Sequence, residues 1–173
     1  MMRTLPLTLA LLMAAPALAK PWKGIEPGSS TKEEVIKAFG TPTRVIKSNG
    51  KEVLAYHEKE IIKGTTQVQF RVDPETGQVE RIDIFPGPVI DKEAVESTYG
   101  PACASPTPQA EPCYQKKITD EFKTYFQYGQ IGVVVFFNDD GKTVQSFVYT
   151  PQTKAPAAAP AKGRAAKSPK QQP

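Results

Sequence analysis

The sequence predicts an α+β fold in which two tandem helix-plus-antiparallel-meander units form one sheet with both helices on one face. Three observations point there. The stretch KEEVIKAFGTP, Lys32 to Pro42, returns 60 positions later as KEAVESTYGPA, Lys92 to Ala102. Each copy is followed by short runs in which apolar and polar residues alternate. Between those runs stand turn formers, DPETG in the first half and NDDG in the second.

The helices come first. At the offset of 60, Lys32, Glu33, Val35 and Gly40 match Lys92, Glu93, Val95 and Gly100; Phe39 meets Tyr99 and Thr31 meets Asp91. Thr31 and Asp91 are good N-caps, and Thr31 with Glu34 completes a capping box. Val35 and Phe39 lie one turn apart as a small apolar stripe, Gly40 in a left-handed conformation closes the helix, and Pro42 bars its continuation. A helix this short is marginal alone, so its stripe must lie against a sheet. The strands follow as RVIKS, EVLAYHE, TQVQFRV and VERIDIF, with turns near Lys63-Gly64 and from Asp73 to Gly77. In the second half KTYFQYG, IGVVVFF and KTVQSFVY repeat the plan.

Composition divides the chain further. Residues 1–19 read as an export signal: Arg3, an apolar run from Leu5 to Ala15, and the small-x-small site Ala17-Leu18-Ala19. No cysteine stands at the cut, so a lipid anchor is not expected, and no later run is long enough for a transmembrane segment. The expected location is periplasmic or secreted. Residues 20–88 form the first unit, 89–152 the second, and 153–173 a disordered Ala/Pro/Lys tail with almost nothing to bury. Arg3 and five tail residues account for six of the 22 basic residues, which leaves 16 against 18 acids; the body is near −2 and the tail +5. The overall charge of +4 is therefore no sign of a nucleic-acid surface on the body. Cys103 and Cys113, the two cysteines, enclose a proline-rich loop and in an oxidising compartment pair most simply as a structural disulfide.

In the first half IEPGSSTKEEVIKAFGTP (Ile25 to Pro42), VLAYH with Tyr56, VQFRV and GQVERI, and in the second IDKEAVESTYGPA, YFQYGQIGVVVFF and DGKTVQSF, carry a resemblance. The chain resembles the BamE family of outer-membrane assembly lipoproteins (SmpA/OmlA) and the beta-lactamase inhibitory protein, which holds two such modules in tandem. The resemblance implies a non-catalytic domain that binds protein surfaces.

The residues available for chemistry are few, and no catalytic, cofactor-binding or metal-binding residue is expected. His57 is the single histidine and reads as an ordinary strand residue. NDDG, Asn138 to Gly141, has too few ligands for a calcium loop and reads as a hairpin turn. On IGVVVFF, Val134 and Phe136 make the second face apolar as well as the first. Tyr125, Phe136, Phe147 and Tyr149, with Tyr56, are therefore expected to form an aromatic protein-binding patch on the uncovered sheet face; the alternative is that the chain or a second copy covers that side. The leading function is an exported, non-catalytic protein-binding module of the cell envelope, with a role in envelope or outer-membrane protein assembly. A second reading is a proteinaceous inhibitor of an extracytoplasmic enzyme such as a beta-lactamase, and a third a small hydrolase using His57 with a carboxylate. The partner is expected to be another envelope or secreted protein, and the tail either a spacer or a contact to an anionic envelope polymer.

Overall fold

Two eight-residue helices start where a side chain can satisfy their free amides. α1 (Lys32–Phe39) opens on Thr31, whose hydroxyl accepts from the Glu34 amide while the Glu34 carboxylate accepts from the Thr31 amide. α2 (Lys92–Tyr99) opens on Asp91, which accepts from the Ala94 amide. In the computed structural model, which describes residues 20–105 and 111–152, these helices are joined by eight strands. They are β1 (Arg44–Ser48), β2 (Lys51–His57), β3 (Thr65–Val72), β4 (Val79–Pro86), β5 (Gln115–Ile118), β6 (Thr124–Tyr128), β7 (Val133–Phe137) and β8 (Val144–Tyr149). The expected export signal and the basic tail lie outside the described residues. None of the described helices is long and apolar enough to cross a membrane.

All eight strands belong to one antiparallel sheet in the order β1-β2-β3-β4-β8-β7-β6-β5. This corrects the expectation of two tandem helix-plus-meander units. The protein is mostly a single eight-stranded sheet carrying two short helices. β4 pairs directly with β8, Ile82 opposite Tyr149 and Ile84 opposite Phe147. One hydrophobic cluster runs through both halves, from Leu54, Val68 and Phe70 to Val133, Val135 and Phe137. The physical reason is size: a helix of eight residues is roughly 12 Å long and cannot close a core by itself. The halves must therefore share one.

Both helices lie on the same face of that sheet. Val35 of α1 is buried, and Phe39 stacks on Phe70 with ring centroids 5.5 Å apart. Val95 of α2 is buried, and Tyr99 packs against Tyr128 and Phe147. Backbone bonds pin each helix start to a hairpin turn: the Lys32 amide donates to the Gly77 carbonyl, and the Lys92 amide to the Lys142 carbonyl. A buried sheet tyrosine holds each helix end, Tyr56 donating to the Gly40 carbonyl at 2.9 Å and Tyr128 to the Gly100 carbonyl at 3.0 Å. Gly40 differs from its expected left-handed helical cap. Its φ of 81° and ψ of −167° lie in the extended region open essentially to glycine alone, which turns the chain straight into β1. β5 was not evident in the sequence, because Gln115-Lys116-Lys117-Ile118 is exposed along its whole length and shows no apolar alternation. Lysines on such an edge strand discourage pairing with another chain.

Candidate functional site

Within one strand, side chains alternate between faces, but the relation between neighbouring strands is set by register. On β7, Val133, Val135 and Phe137 face the helices, leaving Val134 and Phe136 on the opposite, open face. β8 sets Phe147 opposite Val135 and Tyr149 opposite Val133, so both of these aromatics point into the core. The predicted five-residue aromatic patch is corrected accordingly. Tyr56, Phe147 and Tyr149 are core residues, 0, 8 and 5% exposed. Tyr149 also shares a hydrogen bond of 2.8 Å with the Tyr99 hydroxyl.

What stays on the open face is the pair Tyr125 and Phe136, directly opposite each other on β6 and β7 and stacked at 5.2 Å. Both rings are half-buried, and Val134 beside them is half-buried too. The patch is bounded. Across β3 and β4 the same face carries Gln69, Arg71 and an ion pair between Arg81 and Asp83, and Asp83 stands opposite Val148 of β8. Toward the sheet edge, Lys117 of β5 lies opposite Tyr125.

The β5–β6 hairpin beside this patch carries an exposed aromatic residue at its tip that the sequence reading missed. The Thr119 amide donates to the Lys123 carbonyl, the Phe122 amide to the Thr119 carbonyl, and the Lys123 amide to the Thr119 hydroxyl. That tight loop places Phe122 at φ 62° with 89% of its surface exposed. A non-glycine residue held there costs about 1–3 kcal/mol. A lone Phe between Glu121 and Lys123 in a polar turn is the available sequence signal. Ile118, 62% exposed, precedes the same loop. A shallow depression lined by Thr119, Asp120, Glu121, Lys123, Phe136 and Gln145 joins the hairpin to the Phe136 ring.

The described part of the disulfide loop packs on the other side. Cys103 and Cys113 are bonded, with Cα atoms 4.9 Å apart. Tyr114, next in the chain, stacks on Phe126 at 3.6 Å and donates to the Glu96 carboxylate of α2 at 2.6 Å. Burial first, and then the hydrogen bond to Glu96 and its charge, push the Tyr114 hydroxyl up to about 12. Burial likewise raises Tyr56, Tyr99, Tyr128 and Tyr149. These are packed phenols in their neutral form.

The other chemistry-bearing residues are accounted for locally. His57 ends β2 with its Nδ1 3.6 Å from the exposed carboxylate of its own neighbour Glu58. In the NDDG turn, Asp140 accepts from the Lys142 and Thr143 amides and from the Thr143 hydroxyl. Those bonds use its oxygens as an Asx turn does, and they hold its carboxyl below the usual range. Among the described residues no group of three His, Cys, Asp or Glu side chains is placed to hold a metal.

No family model matches the chain, and no curated protein matches it. Among solved structures it is similar to a DUF4309 family protein (YjgB) from Bacillus subtilis, with 18% sequence identity over 74% of this chain and 83% of that chain. The TM-score of 0.46 is too low for that likeness to bear on fold or function.

Proposed function

We propose that the chain is an exported, non-catalytic protein-binding module of the cell envelope, and that it docks a partner protein at the β5–β7 end of the open sheet face. The observation that carries this reading is the stacked Tyr125–Phe136 pair on a face that neither helix covers, joined by a shallow depression to the β5–β6 hairpin whose tip carries the exposed Phe122. Aromatic rings of this kind supply much of the energy at protein interfaces. Lys117 stands opposite Tyr125, and Lys123, ion-paired with Asp139, lines the depression beside Phe136 together with Asp120 and Glu121, so the fitting partner surface is an apolar pocket with a rim of mixed charge. A photo-crosslinking residue at position 122, used on intact envelopes, should give one identified adduct that Phe136→Ser abolishes. The same residue at position 75, in the β3–β4 turn, should give none. Equal adducts from both positions overturn the proposal.

Phe122 also favours a second reading, an inhibitor of an extracytoplasmic enzyme. A bulky side chain held outward by a strained, hydrogen-bonded hairpin is already in a shape that can enter an active-site cleft. Purified chain should then inhibit a secreted hydrolase such as a beta-lactamase, and Phe122→Ala should raise the inhibition constant at least tenfold. Unchanged inhibition by that variant would remove this reading.

A further inference from the structure

The helix side of the sheet has an opening of its own where the two halves meet. A cavity of about 350 Å³ lies between the N-terminal turn at Trp22, the start of β3, the end of β4, α2 and β8. Its aromatic wall is made of Trp22, Tyr99, Phe147 and Tyr149. Ile84 and Ile90 add aliphatic surface between the halves. Phe147, Tyr149 and Ile84 are buried and form the floor. The volume falls within the range of small-molecule sites, which are concave and mostly apolar with a few polar groups that orient the ligand.

Charge at this cavity has a single sign. Lys23 and Lys63 line it, both are exposed and so mark its open side, and among the described residues no carboxylate lines it. A third ammonium, on Lys20, stands 4.4 Å from the centroid of the Tyr99 ring that forms part of the wall. Within the cavity the hydroxyls of Tyr99 and Tyr149 satisfy each other, and burial keeps both phenols neutral. The interior therefore asks nothing polar of a ligand, while the mouth attracts a negative charge.

We propose that this cavity binds a small amphiphilic anion, a monocarboxylate whose aliphatic body of on the order of ten carbons fills the aromatic chamber. Its carboxylate meets Lys23 and Lys63 at the mouth. The site is separate from the open face and stands or falls independently of the partner proposed there. Trp22 is the chain's single tryptophan and lines the cavity, so occupancy can be read from its fluorescence. Decanoate, titrated into the full chain below its micelle concentration, should change the Trp22 emission saturably at one molecule per chain. Replacing both lysines, Lys23→Gln with Lys63→Gln, touches only exposed side chains and should weaken decanoate at least tenfold while leaving decanol binding unchanged. Ala94→Phe projects a ring from α2 into the chamber and should abolish the response to both probes. The proposal is overturned if decanoate gives no saturable change, if decyltrimethylammonium binds as tightly as decanoate, or if the double lysine variant binds decanoate like the parent chain.

Discussion

Gly40 and Gly100 end the two helices in nearly the same backbone conformation, φ 81° and ψ −167° against φ 109° and ψ 161°. Their surroundings differ. A Cβ built on Gly40 meets nothing within 4 Å, whereas one on Gly100 lies 2.0 Å from the Pro112 carbonyl oxygen and 3.0 Å from its carbon. Gly40→Ala should therefore cost backbone strain alone, about 1–3 kcal/mol. Gly100→Ala adds the displacement of a backbone segment next to the Cys113 disulfide, an overpacking penalty of about 1–3 kcal/mol, for a total of about 2–6 kcal/mol. Urea denaturation of both variants gives the comparison, with an unchanged m-value as evidence that the transition itself is the same. Reducing the disulfide should let Pro112 retreat, so the extra penalty at Gly100 should shrink toward that at Gly40. If Gly100→Ala is no more destabilising than Gly40→Ala in the oxidised protein, the packing of the disulfide loop on α2 is wrong.

Three further outcomes follow from burial and charge. Phe147→Ser should destabilise the fold by about 3–5 kcal/mol, as large core truncations do. Phe136→Ser should leave a cooperative transition with a much smaller loss, and the reverse ranking by thermal melting would contradict the β7–β8 register. Reduction of the Cys103–Cys113 bond, which closes a loop with a sequence separation of 10, should cost about 3 kcal/mol on the chain-entropy account and lower the urea midpoint. Stability should respond to pH at both extremes. The Lys51 ammonium and the Thr76 and Glu75 amides hold Asp73 at about 2 against an ordinary 3.8, so its contribution is present above the ordinary value and disappears as pH falls through that window. Tyr56, Tyr99, Tyr114, Tyr128 and Tyr149 have raised folded values, so stability is intact below pH 10, where the unfolded phenols are neutral, and declines as pH rises above it. Asp73→Asn should flatten the acid limb in a denaturant series, and a phenolate absorbance that rises fully before unfolding would refute the alkaline part.

Legibility in the sequence followed the range of the interaction. The Thr31–Glu34 capping box spans four residues and was readable because each partner fixes the other's geometry locally. The Asp73 and Asp140 turns were readable for the same reason. Trp22 was not: PWKGI has no apolar period to place it, yet Trp22 packs between Phe39, 5.9 Å away, and Phe70, 6.2 Å away, residues that no local rule connects to it. Phe122 was equally illegible, because a single apolar residue in a polar loop carries no periodic signal. The division of the five candidate aromatics also lay beyond local reading. Alternation along β8 correctly separates Phe147 from Ser146 and Val148, yet nothing in that strand says which of its faces meets the helices.

The sequence by itself determined where helices start and stop, where the chain turns, and which residues within each strand share a side, because those are effects of neighbours a few residues apart. Only the tertiary structure decided that β4 and β8 are the strands through which the halves join. It also decided that Phe147 and Tyr149 belong to the shared core and that Tyr125 and Phe136 face outward. Pairing across 60 or more residues is chosen by how much apolar surface the whole molecule can bury, and no single stretch of chain contains that quantity.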